Sequence, residues 1–274
     1  MTAKLYVVGT PIGNLEDFSP RAQRILSETD FIAAEDTRVT LKLLRSFGIK
    51  KELVSYFEHN KTEKGEIIIN RILKGETCAL VTDAGMPAIS DPGEELVRQA
   101  LDMGVLVESV PGPTAFATAL AISGMPSGRF CFEGFLSVNK KSRKAHLDSI
   151  KNEERTIIFY EAPHKLLNTL KDLYSALGER NIAVVKEITK LHETVLRFKI
   201  SAAIEYFSQN TPRGEYVLII EGKEKESQKE YTIEEAVDIA KGLIKSGMSA
   251  SLAAKEAANS TGFKKGEIYS LMLK

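Results

Sequence analysis

Short apolar runs at Leu5–Val8, Phe31–Ala34, Leu53–Tyr56, Cys78–Val81 and Val105–Val110 are separated, for the most part, by segments whose apolar residues recur at three- and four-residue spacing. Runs of this length bounded by turn residues read as strands, and their alternation with helical periodicity predicts a mostly parallel α/β sheet. Punctuation agrees with the pattern. Ser19 followed by Pro20 is an N-cap with proline at the first helical position, and the helix carrying Ala22, Ile25 and Leu26 is expected to end near Asp30. A second helix is expected over Val39–Phe47 before Gly48, a third over Glu94–Met103 before Gly104, and a fourth over Pro113–Ser123 before Gly124, with Pro113 at its first position.

The alternation resumes beyond Gly124-Met125-Pro126. Strands are expected at Phe130–Phe135, Thr156–Tyr160, Ile182–Ile188, Val195–Ile200 and Tyr216–Ile220, with helices at about 143–152, 164–177 and 201–209, which suits a mixed sheet. Glu221–Tyr231 is charged and contains Gln and Ser, as a linker does. Three short helices follow at Ile233–Lys245, Ser251–Ser260 and Lys265–Leu273, the last two joined around Thr261-Gly262-Phe263 in the manner of a helix-turn-helix. The expected organisation is an N-terminal α/β domain (1–125), a C-terminal α/β domain (126–222) and a small helical tail (223–274).

At 274 residues, with 43% hydrophobic and 27% charged, the chain can bury sizeable cores and is neither disordered nor fibrous. No apolar stretch is long enough for a membrane span, and Met1-Thr2-Ala3-Lys4 leads into a strand rather than a signal-peptide core, so a cytoplasmic protein without membrane contact is expected. Cys78 and Cys131 lie inside strand-like runs as buried thiols, and His59, His146, His164 and His192 have no metal-ligand spacing, so no metal is expected. The 37 Lys and Arg cancel 37 Asp and Glu. That balance is uneven along the chain. Residues 1–125 carry 13 basic against 17 acidic residues, whereas 126–222 carry 15 against 12, and Asn139–Lys144 holds four cations in six positions. A solvated helix start explains such a run, and so does a phosphate-backbone contact.

Four loops follow the apolar strands of the first half. Gly9-Thr10-Pro11-Ile12-Gly13-Asn14 lacks the dinucleotide fingerprint, and no P-loop occurs anywhere, which sets aside ordinary Rossmann dehydrogenases and P-loop ATPases. Ala34-Glu35-Asp36-Thr37-Arg38 puts two carboxylates, a hydroxyl and a guanidinium at a strand end, where Asp36 or Thr37 is also a helix cap. Asp83-Ala84-Gly85-Met86-Pro87-Ala88-Ile89-Ser90-Asp91-Pro92-Gly93 stacks two turns whose small residues admit a ligand close to the backbone, with Asp83 and Asp91 as acceptors. Pro111-Gly112-Pro113-Thr114-Ala115 opens a helix. In a parallel sheet all four loops share the carboxyl edge, where such sheets bind ligands.

These loops, continued by Phe159-Tyr160-Glu161-Ala162-Pro163-His164-Lys165, Glu187–Glu193 and Gly214-Glu215, resemble the tetrapyrrole-methylase superfamily of S-adenosylmethionine-dependent enzymes over about residues 4–221. Within it, the chain is most similar to the bacterial branch that methylates the 2′-oxygen of a cytidine in 16S ribosomal RNA. Thr114 stands where that branch usually has Ser, and Lys165 where it commonly has Arg. The resemblance implies two α/β domains with a cofactor cleft between them and a small helical tail. It implies that S-adenosylmethionine is lined by Asp83, Gly85, Met86, Pro111, Gly112, Pro113, Thr114 and Ala115 from the first domain and by Phe159, Tyr160 and Tyr216 from the second. It further implies a target in 16S rRNA at the decoding centre, met within the assembled 30S subunit, and a homodimer.

A ribose hydroxyl is a poor nucleophile while protonated, so a base or orienting group is expected beside the cleft. Glu35 or Asp36 is expected to take or guide the proton, with Lys190 and Arg38 holding ribose or phosphate. Glu161, Glu187, His192 and Glu193 are further candidates. RNA contacts are expected from Asn14, Arg38, Lys140, Lys141, Arg143, Lys144, His164, His192 and Glu193. Two rivals stand beside this reading: a methylase of small tetrapyrroles, for which the basic run and tail are superfluous, and an RNA-binding module without catalysis.

Overall fold

The first half builds one parallel sheet from the apolar runs. In the computed structural model, which describes residues 3–224 and 231–272, β1 (Lys4–Val8), α1 (Pro20–Glu28), β2 (Phe31–Ala34), α2 (Thr37–Ser46), β3 (Glu52–Ser55), α3 (Lys61–Leu73), β4 (Cys78–Val81), α4 (Glu94–Asp102) and β5 (Leu106–Val110) follow in order. The strands pair in the order β3-β2-β4-β1-β5, every neighbour parallel. Side chains alternate across the sheet. Tyr6 and Val8 pack into one core with Ile25, Leu26 and Leu44, while Leu5 packs into another with Ile68, Ile72 and Leu96, so helices cover both faces. Ser19 caps α1 by accepting the Ala22 N–H, and Asp36 caps α2 by accepting the Arg38 N–H. The pattern does not mark α3, because Gly65 and the Ile67–Ile69 triplet blur its helical spacing.

α5 (Ala115–Ser123) follows the first sheet in sequence but packs on the second. That sheet comprises β6 (Phe130–Phe135), β7 (Thr156–Glu161), β8 (Asn181–Lys186), β9 (Thr194–Lys199) and β10 (Tyr216–Ile220), with α6 (Lys140–Ser149), α7 (Leu166–Leu177) and α8 (Ile200–Gln209) between them. Its order is β6-β7-β10-β8-β9, with β6 parallel to β7 and the other pairs antiparallel. Ala119 and Leu120 of α5 join Ile158, Val185, Val217 and Ile219 in one core. Both ends of the helix are tied to this sheet. The Phe116 N–H donates to the Tyr160 hydroxyl at 3.0 Å, and Arg197 donates to the Ser123 and Ile122 carbonyls at 2.7 Å. A boundary near 125 therefore falls behind a helix that already belongs to the second layer. Helix α5 also begins at Ala115 with Thr114 as its N-cap, so Pro113 precedes the helix instead of occupying its first position.

The chain divides at Lys223 into two units. The second contains α9 (Ile233–Lys245), α10 (Ala250–Thr261) and α11 (Lys265–Met272) around Ala236, Ala240, Ala254, Ala257 and Ile268. Thr232 and Glu235 form a reciprocal capping box, and Gly262 ends α10 in the left-handed conformation. Part of the expected linker, 225–230, lies outside the described residues.

Candidate active site

The four loops at the carboxyl edge are stitched to one another. Gly9 N–H donates to Val110 O at 3.0 Å, while Thr10 and Gly85 exchange N–H···O bonds of 2.9 and 3.1 Å. The Thr10 hydroxyl donates to Thr82 O at 3.1 Å. Asp83 N–H donates to Glu35 Oε2 at 3.3 Å, and Asp36 N–H to Asp83 Oδ1 at 3.2 Å. Glycine is required where the first and last loops cross: a Cβ on Gly9 would lie 2.6 Å from Gly112 Cα and 2.7 Å from Met86 Sδ.

These loops floor a cavity of about 540 Å³ that the second sheet closes. Gly85, Met86, Thr114, Ala115, Tyr160 and Tyr216 line it, as expected of cofactor residues, together with His164, which was expected to face RNA. Ile12, Ile89, Ile188 and Val217 add apolar wall, and Asp91, Glu161 and Glu215 add carboxylates. Asp83, expected beside the cofactor, does not line the cavity and is bonded to Glu35 and Asp36. Pro111, Gly112 and Pro113 line an adjoining cavity of about 460 Å³ with Asp17, Thr189 and Glu193.

Phe159 is not brought to the cleft. Strand alternation turns its ring to the far face of the sheet, where it is 0% exposed among Leu166, Leu170 and Leu218, and sends Tyr160 to the cavity instead. The wall residues Ile12, Ile89, Phe135, Ile188 and Val217 had no chemical signal in the sequence. Ile12, Ile89 and Ile188 sit inside loops that the motifs already marked, Phe135 ends β6 and Val217 lies within β10.

The expected catalytic carboxylates differ in availability. Asp36 accepts three bonds of 2.6–3.2 Å from the Arg38 guanidinium and one from its N–H, which hold its carboxyl down at about 2. Glu35 goes the other way, raised by burial, with the charges of Asp83 and Asp36 adding to it. Asp91 is the most displaced: burial, then the charges of Glu35 and Asp83, push it up to about 7. Lys190 donates to Glu187 at 3.1 Å and to Glu215 at 2.8 Å. Burial opposes its charge, but the two carboxylates outweigh it and hold the ammonium above its ordinary range. Lys190 is thus a cation held by two carboxylates, with its stem over Gly13.

The basic run splits. Lys140, Lys141 and Lys144 are exposed. Arg143 is turned inward, 15% exposed, with Nε 2.6 Å from Asp172 Oδ2 and a terminal nitrogen 2.8 Å from Thr169 Oγ1. Thr169 in turn donates to Glu161, a buried carboxylate on the cavity wall. Asn14 is spent on capping Glu16 N–H, Glu193 accepts the Thr189 N–H at 2.6 Å, and His192 is exposed. Arg38, with its side chain 86% exposed, points to solvent while paired to Asp36. Among the described residues no group of acidic, His or Cys side chains has the arrangement of a metal site, and no helix is long and apolar enough to cross a membrane.

A parallel sheet with four loops at its carboxyl edge, facing a second mixed sheet across a cavity of small-molecule size, defines an α/β protein built to bind a small ligand where its two sheets meet. A family model described as tetrapyrrole (corrin/porphyrin) methylases matches residues 4–204. The chain belongs to that family and is a methyltransferase. It is 44% identical over 270 residues to a protein of Synechocystis sp. named ribosomal RNA small subunit methyltransferase I, covering 98% of this chain and 97% of that one. A protein of the same name from Thermotoga maritima is 46% identical, covering 81% of this chain and 99% of that one. Among solved structures, uroporphyrin-III C-methyltransferase from Thermus thermophilus, complexed with S-adenosyl homocysteine, superposes with a TM-score of 0.53 at 20% identity, covering 80% of this chain and 97% of that one, and shares the fold.

Proposed function

We propose that this chain methylates small-subunit ribosomal RNA with S-adenosylmethionine as methyl donor, and more finely that the acceptor is the 2′-oxygen of a cytidine in 16S rRNA at the decoding centre, presented by the assembled 30S subunit. The observation that carries the reading is the cavity at the joint of the two sheets, set in a chain whose near-full-length relatives bear an rRNA methyltransferase name. The residues present fit the cofactor. Ile12, Met86, Ile89 and Val217 offer apolar surface to a purine, and Glu215 offers a carboxylate to an amine. When bound, S-adenosylmethionine supplies a methyl group on a cationic sulfur.

The protein's own contribution is placement and charge. The stitched loops fix the cavity's floor, so a hydroxyl positioned there reacts as though at high local concentration. Lys190 and its two carboxylates latch Gly13 and Glu215 at the rim. Glu161 is held through Thr169 and Arg143. Arg38, Lys140, Lys141 and Lys144 are the exposed cations for phosphates, while Asn14, His164, His192 and Glu193 remain rim candidates for RNA. The homodimer belongs to the same reading and is checked by analytical ultracentrifugation.

The direct test incubates the protein with labelled S-adenosylmethionine and small subunits from cells lacking this methylation, then maps the label by nuclease digestion and mass spectrometry. A 2′-O-methylcytidine in 16S rRNA is the expected product. Label on protein alone, on a tetrapyrrole offered in competition, or nowhere, defeats the proposal.

A further inference from the structure

A second cavity, of about 530 Å³, opens on the other side of the Ser90–Asp91 turn. Ser90 and Asp91 line both it and the main cavity, so these two residues form the partition between them. The turn is held in an uncommon backbone state, with Ser90 at φ 64 and Ala88 at φ 67, conformations that non-glycine residues keep only where the surroundings enforce them. Across from the partition stand Phe57 and His59, exposed, with ring centroids 6.3 Å apart at 84°. The remaining chemistry is acidic, from Glu35, Glu58 and Glu94.

That composition selects its occupant. Carboxylates repel phosphate, but they accept hydrogen bonds from hydroxyls and exocyclic amines, and aromatic faces stack on nucleobases. The moiety that fits is the uncharged part of a nucleotide, base and ribose, swung out of its strand with its phosphates left outside, where Arg38 is exposed in the first turn of α2, three residues after Glu35. Resting on the rRNA reading above, we propose that this second cavity seats the acceptor nucleoside, its base against Phe57 and His59, and that Asp91 takes the proton of the acceptor hydroxyl. The hydroxyl O–H bond breaks as the O–C bond forms, the proton passes to the Asp91 carboxylate, and the electron pair that held the methyl carbon stays on sulfur as a neutral thioether. Asp91 then returns the proton to water. Of the two residues lining both cavities, Ser90 and Asp91, the carboxylate is the one that can accept a proton from a hydroxyl on one side while facing a methyl donor on the other.

The test uses the full chain in three variants: Phe57→Ala with His59→Ala, Asp91→Asn, and wild type. Calorimetric titration with S-adenosylhomocysteine monitors the main cavity and folding, co-sedimentation with unmethylated small subunits monitors RNA engagement, and single-turnover methylation monitors chemistry. The double variant is expected to bind S-adenosylhomocysteine within twofold of wild type, to weaken co-sedimentation about tenfold, and to raise the half-saturating subunit concentration to match. Asp91→Asn is expected to co-sediment normally while its single-turnover rate falls about a hundredfold. Co-sedimentation by the double variant within twofold of wild type, or an Asp91→Asn rate within threefold, overturns the inference. Failure of the wild type itself to bind S-adenosylhomocysteine or to methylate the subunit defeats the underlying rRNA reading instead.

Discussion

Asp91 carries a cost in the folded chain that can be read by pH. Its carboxyl is raised from an ordinary value of 3.8 to about 7 by burial and by Glu35 and Asp83. Glu58, His59 and Glu94 share one cavity with it, and Tyr160, Glu161, His164 and Glu215 the other. A group whose folded pKa is raised contributes most to stability below its unfolded pKa, and that contribution is lost as pH rises through the folded value, here between about 4 and 7. Asp91→Asn removes the titration. By differential scanning fluorimetry the variant should melt roughly 2–4 °C above wild type at pH 8 and converge with it at pH 4, the size reflecting partial solvation of the carboxyl. A constant difference at both pH values would show that packing, not charge, separates them. Gly9→Ala acts in the opposite direction. Its Cβ meets backbone of Gly112 at 2.6 Å, which no rotamer can relieve, so the variant should lose several degrees of melting temperature and most of its affinity for S-adenosylhomocysteine. At this scale the sequence was legible where a motif names a residue and illegible where only strand phase decides: Tyr160 and Phe159 are neighbours, and a one-residue alternation sends one to the cleft and the other to the core.

Helix α6 shows the same limit one scale up. The run Lys140-Lys141-Ser142-Arg143-Lys144 reads as one basic patch, yet a helix distributes its residues around an axis, so Arg143 turns toward α7 while its neighbours face solvent. The helix begins at Lys140, not 143, because Asn139 accepts the N–H groups of Lys141 and Ser142 and so moves the cap upstream of the expected start. The variants should separate accordingly. Replacing Lys140, Lys141 and Lys144 with Ala should leave melting unchanged and lower the salt slope of small-subunit binding by about two, since each phosphate contact contributes roughly 0.7–0.9. Arg143→Ala should instead lower the melting temperature and the methylation rate with little change in salt slope, because it frees Thr169 and Glu161 from their shared network. An Arg143→Ala effect confined to salt slope would return the residue to the RNA face. The strands and most helices were legible because apolar runs and Gly or Pro stops coincide. A boundary near 125 groups helix α5 with the first sheet, whereas the helix packs on the second, because sequence order carries no information about which of two sheets an apolar helix covers.

For the whole molecule, zero net charge is a cancellation between an acidic first half and a basic stretch over 126–222, so affinity for bulk RNA should be low and recognition confined to a patch. The helical tail does not disturb that balance, with nine basic and eight acidic residues from Lys223 on. Its core of Ala236, Ala240, Ala254, Ala257 and Ile268 draws on its own three helices, and every residue lining the main cavity lies between Ile12 and Val217. A chain ending at Lys223 should therefore unfold cooperatively, bind S-adenosylhomocysteine within about twofold of the full chain, and keep the same salt slope toward small subunits. Each quantity reports a different dependence: calorimetry on the cavity, denaturant melting on the first unit's core, and the slope on cationic contacts. If the shortened chain keeps its cofactor affinity but loses a unit or more of salt slope, then Lys264, Lys265 and their neighbours contribute phosphate contacts. The basic patch is then split between the two units instead of lying on α6 and Arg38 alone.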